Sequence, residues 1–488
     1  MNQTPAPQTK PLLMRSDKPR PKVGIVHLGP GAFFRAFNAV YTAKAMKARG
    51  GDWGIYAVSL RNPHIRDKLA PQHYAYTSVS LTPDGAEHDI IEAIDNILVA
   101  PENPSAVLSA MSDPNIHIVS LTITEKGYCH NPATGELQLD HPDIVHDLRH
   151  PKQPKSAVGF LVQALAQRRD LGLSPFTVLS CDNLPDNGPL TRHVVLEFAQ
   201  KLNPDLANWI KTNVCFPATM VDRITPATTE ADITKLADAT GYIDSGCVVH
   251  EPFCQWVIED NFVDGKRPDW DIAGAQFVND VAAFETMKLR CLNGTHSTLA
   301  YLGYLAGYET IAETVADPVF AALIDTIWRQ EIIPTVPKPE GEDLNAYCAA
   351  LKIRYLNPAI RHRTWQIAMD GSQKLPQRLL GTMTDNLAVG RDSPLLALAV
   401  AAWMRYVSGS DEKGQPIEVK DPLAKVLRTA SDSADKPEDK VDTLLAIQAV
   451  FDPELAANTH FRNAVIAAYK ALIKHGARSA AEQAIQGV

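Results

Sequence analysis

Short apolar runs broken by glycine, proline and polar residues fill the first half of the chain; longer runs with helical spacing fill the second. Residues 22–28 (KVGIVHL) stop at Gly29 and predict a buried strand. Residues 32–46 hold good helix formers without proline or glycine and predict a helix. A strand at 53–60 (WGIYAVSL), a helix at 64–69 and an alternating strand at 74–81 follow. The β-branched run 116–123 (IHIVSLTI) predicts a strand buried on both faces. Residues 156–169 read as an amphipathic helix and 176–180 (FTVLS) as the next strand. Such alternation implies βαβ units and a mostly parallel sheet. After about residue 278 helical patterns take over, at 281–291, 295–305, 318–331, 344–355, 394–407 and 458–485. The Pro- and charge-rich stretches 335–343 and 431–439 predict solvated loops. The expected organisation is a mobile arm at 1–21, an α/β domain at 22–285 and a mainly α-helical domain at 286–488, without internal repeats.

Composition narrows the class of function. The 488 residues carry a formal charge of −9, with 45% hydrophobic and 21% charged residues. That is globular material and a poor fit to nonspecific nucleic-acid binding, which needs a positive surface. No run approaches the ~18 apolar residues of a membrane span, and the polar start MNQTPAPQTKPLLMRSDKPRPK has no signal-like core. A cytoplasmic protein acting on a small molecule, as a monomer or small homo-oligomer and without nucleic acid or membrane, is expected. The seven cysteines are scattered and form no C-x-x-C pair, which predicts reduced thiols rather than a disulfide framework or structural zinc. His141, His146 and His150 are too loosely spaced to predict a metal site.

The segment LGPGAFF follows a strand and opens a helix, as a dinucleotide fingerprint must. Gly29 suits the tight turn and Gly31 the approach of a pyrophosphate; Phe34 occupies the place of the third glycine and is expected to touch the cofactor. An ordinary strand-to-helix turn has the same pattern. The acid expected some 20 residues on, for a ribose 2′-hydroxyl, is missing. In its place stand Arg61 and Asn62. Asn62 can bond a ribose, while Arg61 or Arg66 can pair with a 2′-phosphate, so NAD is expected and NADP stays open.

The decapeptide MKLRCLNGTH sets Lys288, Asn293 and His296 five and three residues apart. On one continuous α-helix they spread over more than one face; a turn or helix boundary at Gly294 lets them converge. A buried lysine can act as a base, an asparagine amide can donate to a developing alkoxide, and a histidine can bind a hydroxyl. Spacing alone leaves Lys288 equally readable as a surface lysine and His296 as a hydrogen-bonded structural histidine. Cys181 lacks a histidine nearby in sequence, Asp182 can cap a helix, and Trp256, Glu259 and Asp260 can pack at a domain junction or meet substrate.

Seven segments, IVHLGPGAFFRAFNAVYT, VSLTITEKGYC, FTVLSCDNLPDNG, FPATMVDRITPA, EPFCQWVIEDNFVDGKRPDW, MKLRCLNGTHS and DGSQKLPQR, run in order along the chain. With them the chain resembles the polyol-specific long-chain dehydrogenases, the mannitol dehydrogenase family, whose members include mannitol 2-dehydrogenases and fructuronate reductases. The resemblance implies a Rossmann-like cofactor domain, a helical domain and a site in the cleft between them. It also implies metal-independent hydride transfer with Lys288 as base. Asn293 and Asn183 then contact the reacting oxygen, His296 and Asp222 the substrate hydroxyls, Lys374 the substrate pocket, and Glu125 the proton path. Two histidines usual after the glycine turn are Phe34 and Phe37 here, which leaves details of the cofactor pocket open.

Three activities compete at this stage. One interconverts D-mannonate and D-fructuronate, one oxidises a hexitol such as D-mannitol, and one is a regulator that binds nucleotide without turnover. The complete Lys288, Asn293, His296 set argues against the regulator. In RHRTWQIAMDGSQKLPQRLL, Arg361, Arg363 or Arg378 can supply a cation for a sugar-acid carboxylate, with Arg363 taken as substrate-binding. The same arginines also read as surface ion pairs.

Overall fold

The computed structural model describes residues 10–132 and 134–488. It divides into two compact units, Met1–Ala282 and Ala283–Val488. The first unit has eleven strands among its described residues: β1 (Val23–Leu28), β2 (Gly54–Ser59), β3 (Tyr76–Thr82), β4 (Gly85–Ile91), β5 (Ile94–Val99), β6 (Ile118–Leu121), β7 (Thr177–Ser180), β8 (Thr219–Asp222), β9 (Val248–His250), β10 (Gln255–Glu259) and β11 (Gln276–Val278). Five form a wholly parallel sheet in the order β5-β2-β1-β6-β7. Its central strands are apolar on both faces because helices cover both. Val26 and Leu28 enter one core layer with the helix Ala157–Asp170; Ile25 enters the other with the helix Asn38–Arg49. From β1 the chain moves to β2, and from β6 to β7 on the opposite side. The order therefore reverses between β1 and β6, where open α/β sheets bind their ligands at the carboxyl ends of the strands.

Several expectations shift. The helix expected at 32–46 is two, Ala32–Ala36 and Asn38–Arg49, broken at Phe37 (φ −128°, ψ −86°). Phe37 is fully buried against Phe33, Tyr41 and Trp256, so packing overrides helix propensity there. Small sheets β4-β3-β9 and β11-β10-β8 flank the main one and include antiparallel pairs. Trp256, Glu259 and Asp260 are engaged within this unit: Trp256 packs on Tyr41 and Trp270, Glu259 accepts from the Ala218 N–H and Asp260 pairs with Arg267. Of the expected mobile arm, residues 1–9 lie outside the described residues. The described part is pinned: Leu12 bridges Ile243, and the Arg15 guanidinium donates to the Ile94 and Glu92 carbonyls.

The second unit is helical. The helix Pro394–Val407 (PLLALAVAAWMRYV) is buried almost all round and packs on the helices Thr459–Gln486 and Thr295–Ala306. The loop expected at 431–439 is mostly helix end. The helix Ala424–Asp432 runs into it, and the helix Pro437–Leu445 starts in it with proline and two acids in its first turn, all favourable at an N-terminus. All seven cysteines are free thiols. Among the described residues no helix is long and apolar enough to cross a membrane.

Candidate active site

In the first unit the candidate residues other than Asp222 follow the carboxyl ends of strands in the parallel sheet. Gly29 follows β1 with φ +97°, and a Cβ there would lie 2.1 Å from the Thr122 carbonyl oxygen, so the turn requires glycine. Gly31 differs. It is extended (φ −68°, ψ −177°), and a Cβ would meet nothing within 4 Å. The fold does not need a glycine there, and the open space is what the close approach of a phosphate uses. Phe34, expected to touch cofactor, is 1% exposed and stacks on His27, with centroids 3.6 Å apart and planes 11° apart. It shapes the turn from beneath rather than contacting a ligand.

His27 is a residue that sequence reasoning missed. It is buried, and its Nδ1 bonds Ser120 Oγ at 2.8 Å while Nε2 lies 2.9 Å from Thr122 Oγ1 and 3.1 Å from the Gly29 carbonyl. It ties β1 to β6 at the point of reversal, and burial holds its pKa down to about 3, so the ring is neutral. Its only signal in the sequence was a polar residue inside an apolar strand.

At the end of β2, Arg61 pairs with Asp143 at 3.0 Å, and Arg66 pairs with Asp67 and Glu102. Asn62 is exposed, and its Oδ1 accepts from the His64 N–H. After β6, Glu125 is exposed at the start of a tight turn, Glu125–Tyr128. The preceding Thr124 sits at φ 63°, ψ 163°, a costly conformation outside glycine. Asp182 holds it there: its carboxylate accepts from the Ile123 N–H (2.9 Å), the Thr124 N–H (2.9 Å) and Tyr128 Oη (2.7 Å). Asp182 is thus a loop brace instead of a helix cap. Asn183 follows it, exposed, beyond β7, and Asp222 is buried at the end of β8.

In the second unit the helix Ala282–Met287 does not stop at Gly294. It widens into a π-helical turn, Lys288–Gly294, and continues as Thr295–Ala306. Bonding to the fifth residue inserts one residue per turn, so Lys288 and Asn293, five apart, lie one wide turn above each other. That replaces the boundary expected at Gly294. Carbonyls near this turn take side-chain donors: Trp328 Nε1 and Thr295 Oγ1 donate to the Cys291 carbonyl at 2.9 and 2.6 Å, and Tyr355 Oη to the Leu292 carbonyl at 2.8 Å. Gly294 is needed for packing, since a Cβ would stand 2.7 Å from the Arg378 carbonyl oxygen.

Lys288 is 8% and His296 6% exposed, so neither is a surface residue. The His296 ring stacks on Tyr355 at 5.2 Å and meets His362 edge-on at 4.5 Å. Its Nε2 is buried without a partner among the described residues, which counts against a fully satisfied structural histidine. Burial first, then His362, Arg378, Arg354 and Lys374, hold its pKa well below 6.5. Burial also brings Lys374 down to about 8, with Arg378 adding to the effect and Asp370 and Asp421 opposing it. Lys374 Nζ donates to the Met369 carbonyl at 2.5 Å.

The three candidate arginines separate by exposure. Arg361 and Arg363 are 68% and 56% exposed and both pair with Glu309. The choice of Arg363 for substrate is corrected accordingly: its charge is already met at the surface. Arg378 is largely buried, and its one side-chain hydrogen bond among the described residues is to Ser297 Oγ at 3.2 Å. A guanidinium held out of water without a carboxylate is expensive unless a ligand supplies one. Among the described residues no group of three or more His, Cys, Asp or Glu could hold a metal.

A doubly wound parallel sheet with a glycine turn at its point of reversal, followed by a helical unit that carries buried Lys288 and His296 with half-buried Asn293, defines a dinucleotide-binding protein with an appended helical domain. Residues 23–272 match the mannitol dehydrogenase Rossmann domain and residues 280–473 the mannitol dehydrogenase C-terminal domain. The chain belongs to the mannitol dehydrogenase family. It is 49% identical over 467 residues to the D-mannonate oxidoreductase of Escherichia coli strain K12, covering 95% of this chain and 96% of that one. It is 41% identical over 464 residues to the mannitol 2-dehydrogenase of Pyricularia oryzae, covering 93% and 91%. The solved Pseudomonas fluorescens mannitol 2-dehydrogenase, a ternary complex with NAD and D-mannitol, matches with a TM-score of 0.84 and 39% identity over 99% of this chain and 98% of that one.

Proposed function

We propose that the protein is an NAD-dependent secondary-alcohol dehydrogenase that interconverts D-mannonate and D-fructuronate. The observation that carries the substrate is Arg378, a largely buried guanidinium whose only side-chain partner among the described residues is a serine hydroxyl. A C1 carboxylate would complete it with a charge-assisted, bidentate pair. The E. coli D-mannonate oxidoreductase likeness supports the same substrate.

NAD, when bound, supplies the hydride acceptor at its nicotinamide carbon. The residues here fit such a group: Gly29 is forced by the turn, Gly31 leaves room beside it, and Asn62, exposed beyond β2, has a side-chain amide to bond a ribose hydroxyl. Arg61 and Arg66 are already paired with carboxylates, which supports NAD over NADP. In the alcohol-oxidising direction Lys288 takes the hydroxyl proton on Nζ. The Asn293 amide donates to the oxygen as it gains charge, and the resemblance gives Asn183 the role of second amide. Neutral His296 offers Nε2 to a substrate hydroxyl. Asp222 orients a hydroxyl and Glu125 passes the proton on, both by the family pattern.

The hexitol reading is favoured by the likeness to a mannitol 2-dehydrogenase. Steady-state kinetics on D-mannonate, D-mannitol, D-sorbitol and D-arabinitol, each with NAD and NADP, decide between them. The expected result is kcat/KM for mannonate ~30- to 1000-fold above mannitol, because a hexitol leaves the buried arginine unpaired. Equal rates would overturn the sugar-acid reading.

A further inference from the structure

His362 lies in the segment that carries the three arginines but holds none of the roles above. Its backbone is fixed on both sides: the His362 N–H donates to the Ile360 carbonyl at 2.7 Å, and its carbonyl accepts from the Ile311 N–H at 3.0 Å. The next residue, Arg363, bridges Thr310. The ring therefore sits on a rigid support, edge-on to His296 with centroids 4.5 Å apart and planes at 78°. Its Nδ1 is buried and has no partner among the described residues; neither has His296 Nε2.

Two orphaned nitrogens on touching rings are a costly arrangement, which a pair of phenylalanines would avoid. Both rings are neutral: burial, Lys374 and Arg378 hold His362 at about 4. A neutral imidazole can still give one N–H to a ligand. Those same neighbours identify the ligand's charge, because Lys374 and Arg378 are cations and Arg378 has no acid.

We infer that His362 is a second substrate-binding histidine, whose Nδ1–H donates to the carboxylate end of a polyhydroxy acid beside Arg378. The inference rests on the sugar-acid reading for the identity of the oxygen it holds, but not for the contact itself. His362→Phe keeps a ring against His296 and removes the donor. His362→Asn restores an N–H near the position of Nδ1. The expected result for His362→Phe is a rise in KM for D-mannonate of about 10- to 100-fold, with KM for NAD and the thermal midpoint close to wild type. His362→Asn should recover most of the loss. Wild-type KM for D-mannonate in His362→Phe overturns the inference, as does failure of Asn to rescue. If the wild type instead prefers D-mannitol, the sugar-acid reading falls. The same two variants are then assayed on D-mannitol, where a raised KM rescued by Asn keeps the substrate contact and rejects the carboxylate, and an unchanged KM rejects both.

Discussion

Lys288 and Arg378 show what a residue's surroundings add to its type. Lys288 was legible because its motif repeats a family pattern, and its 8% exposure removes the alternative of a solvated lysine. Replacing it with alanine should lower kcat by at least 10²-fold with little change in KM for NAD, the usual cost of losing a positioned base. A variant retaining near-wild-type kcat would show that the base lies elsewhere. The arginines were legible as a group and not individually. Sequence places Arg361, Arg363 and Arg378 in one segment, but only burial and pairing show which charge is unmet. Arg378→Gln should therefore depress turnover of D-mannonate far more than of D-mannitol. Arg363→Gln removes one member of an exposed ion pair, of little energetic weight, and should leave both rates within about twofold. Comparable losses in the two variants would return the choice to Arg363.

At the scale of elements, the two glycines after β1 separate folding from binding. Gly29→Ala forces a side chain to φ +97° and onto the Thr122 carbonyl, so the expected outcome is a markedly lower thermal midpoint or insoluble protein. Gly31→Ala meets nothing in the protein and should fold normally, yet raise KM for NAD by about tenfold or more if a phosphate passes there. An unchanged KM would remove Gly31 from the cofactor site. Four of the five strands of the parallel sheet, β1, β2, β6 and β7, were readable because burial makes them apolar runs. The edge strand β5 (IDNILV) was not, because its half-buried Asp95 and Asn96 break the run. Strand β4 (GAEHDII) was not: six of its seven positions are exposed, so no apolar alternation marks it. Its turn signal, Pro83-Asp84-Gly85, was present and unused. The wide turn at Lys288–Gly294 was invisible for another reason. One extra residue in a single turn barely disturbs helical periodicity, and its supports, Trp328 and Tyr355, come from distant parts of the chain.

Over the whole molecule, buried histidines make stability depend on pH in a direction that can be worked out. In the first unit burial holds His27 and His250 at about 3, and in the second it holds His362 at about 4 and His296 well below 6.5. These rings stay neutral in the folded protein and take up protons at about 6.5 once unfolded, so the unfolded state binds more protons between those values. Their contribution is complete above pH 6.5 and is lost as pH falls toward 4, at up to ~1.4 kcal/mol per pH unit for each group. Glu331 opposes them: its carboxylate caps the helix Pro394–Val407 through the Leu395 and Leu396 N–H groups, and burial raises it to about 7. It is protonated more readily folded than unfolded, so it erodes stability as pH rises from 4.5 to 7, but it is one group in the second unit against two histidines there. The urea midpoint followed by tryptophan fluorescence should therefore drop between pH 7 and pH 5. His27→Gln should lower the midpoint at pH 7, because the ring's bonds to Ser120 and Thr122 are lost, and should flatten its fall below pH 6.5. A variant as steeply pH-dependent as the wild type would show that His27 does not titrate on unfolding, and that the link between β1 and β6 at the glycine turn is indifferent to its protonation.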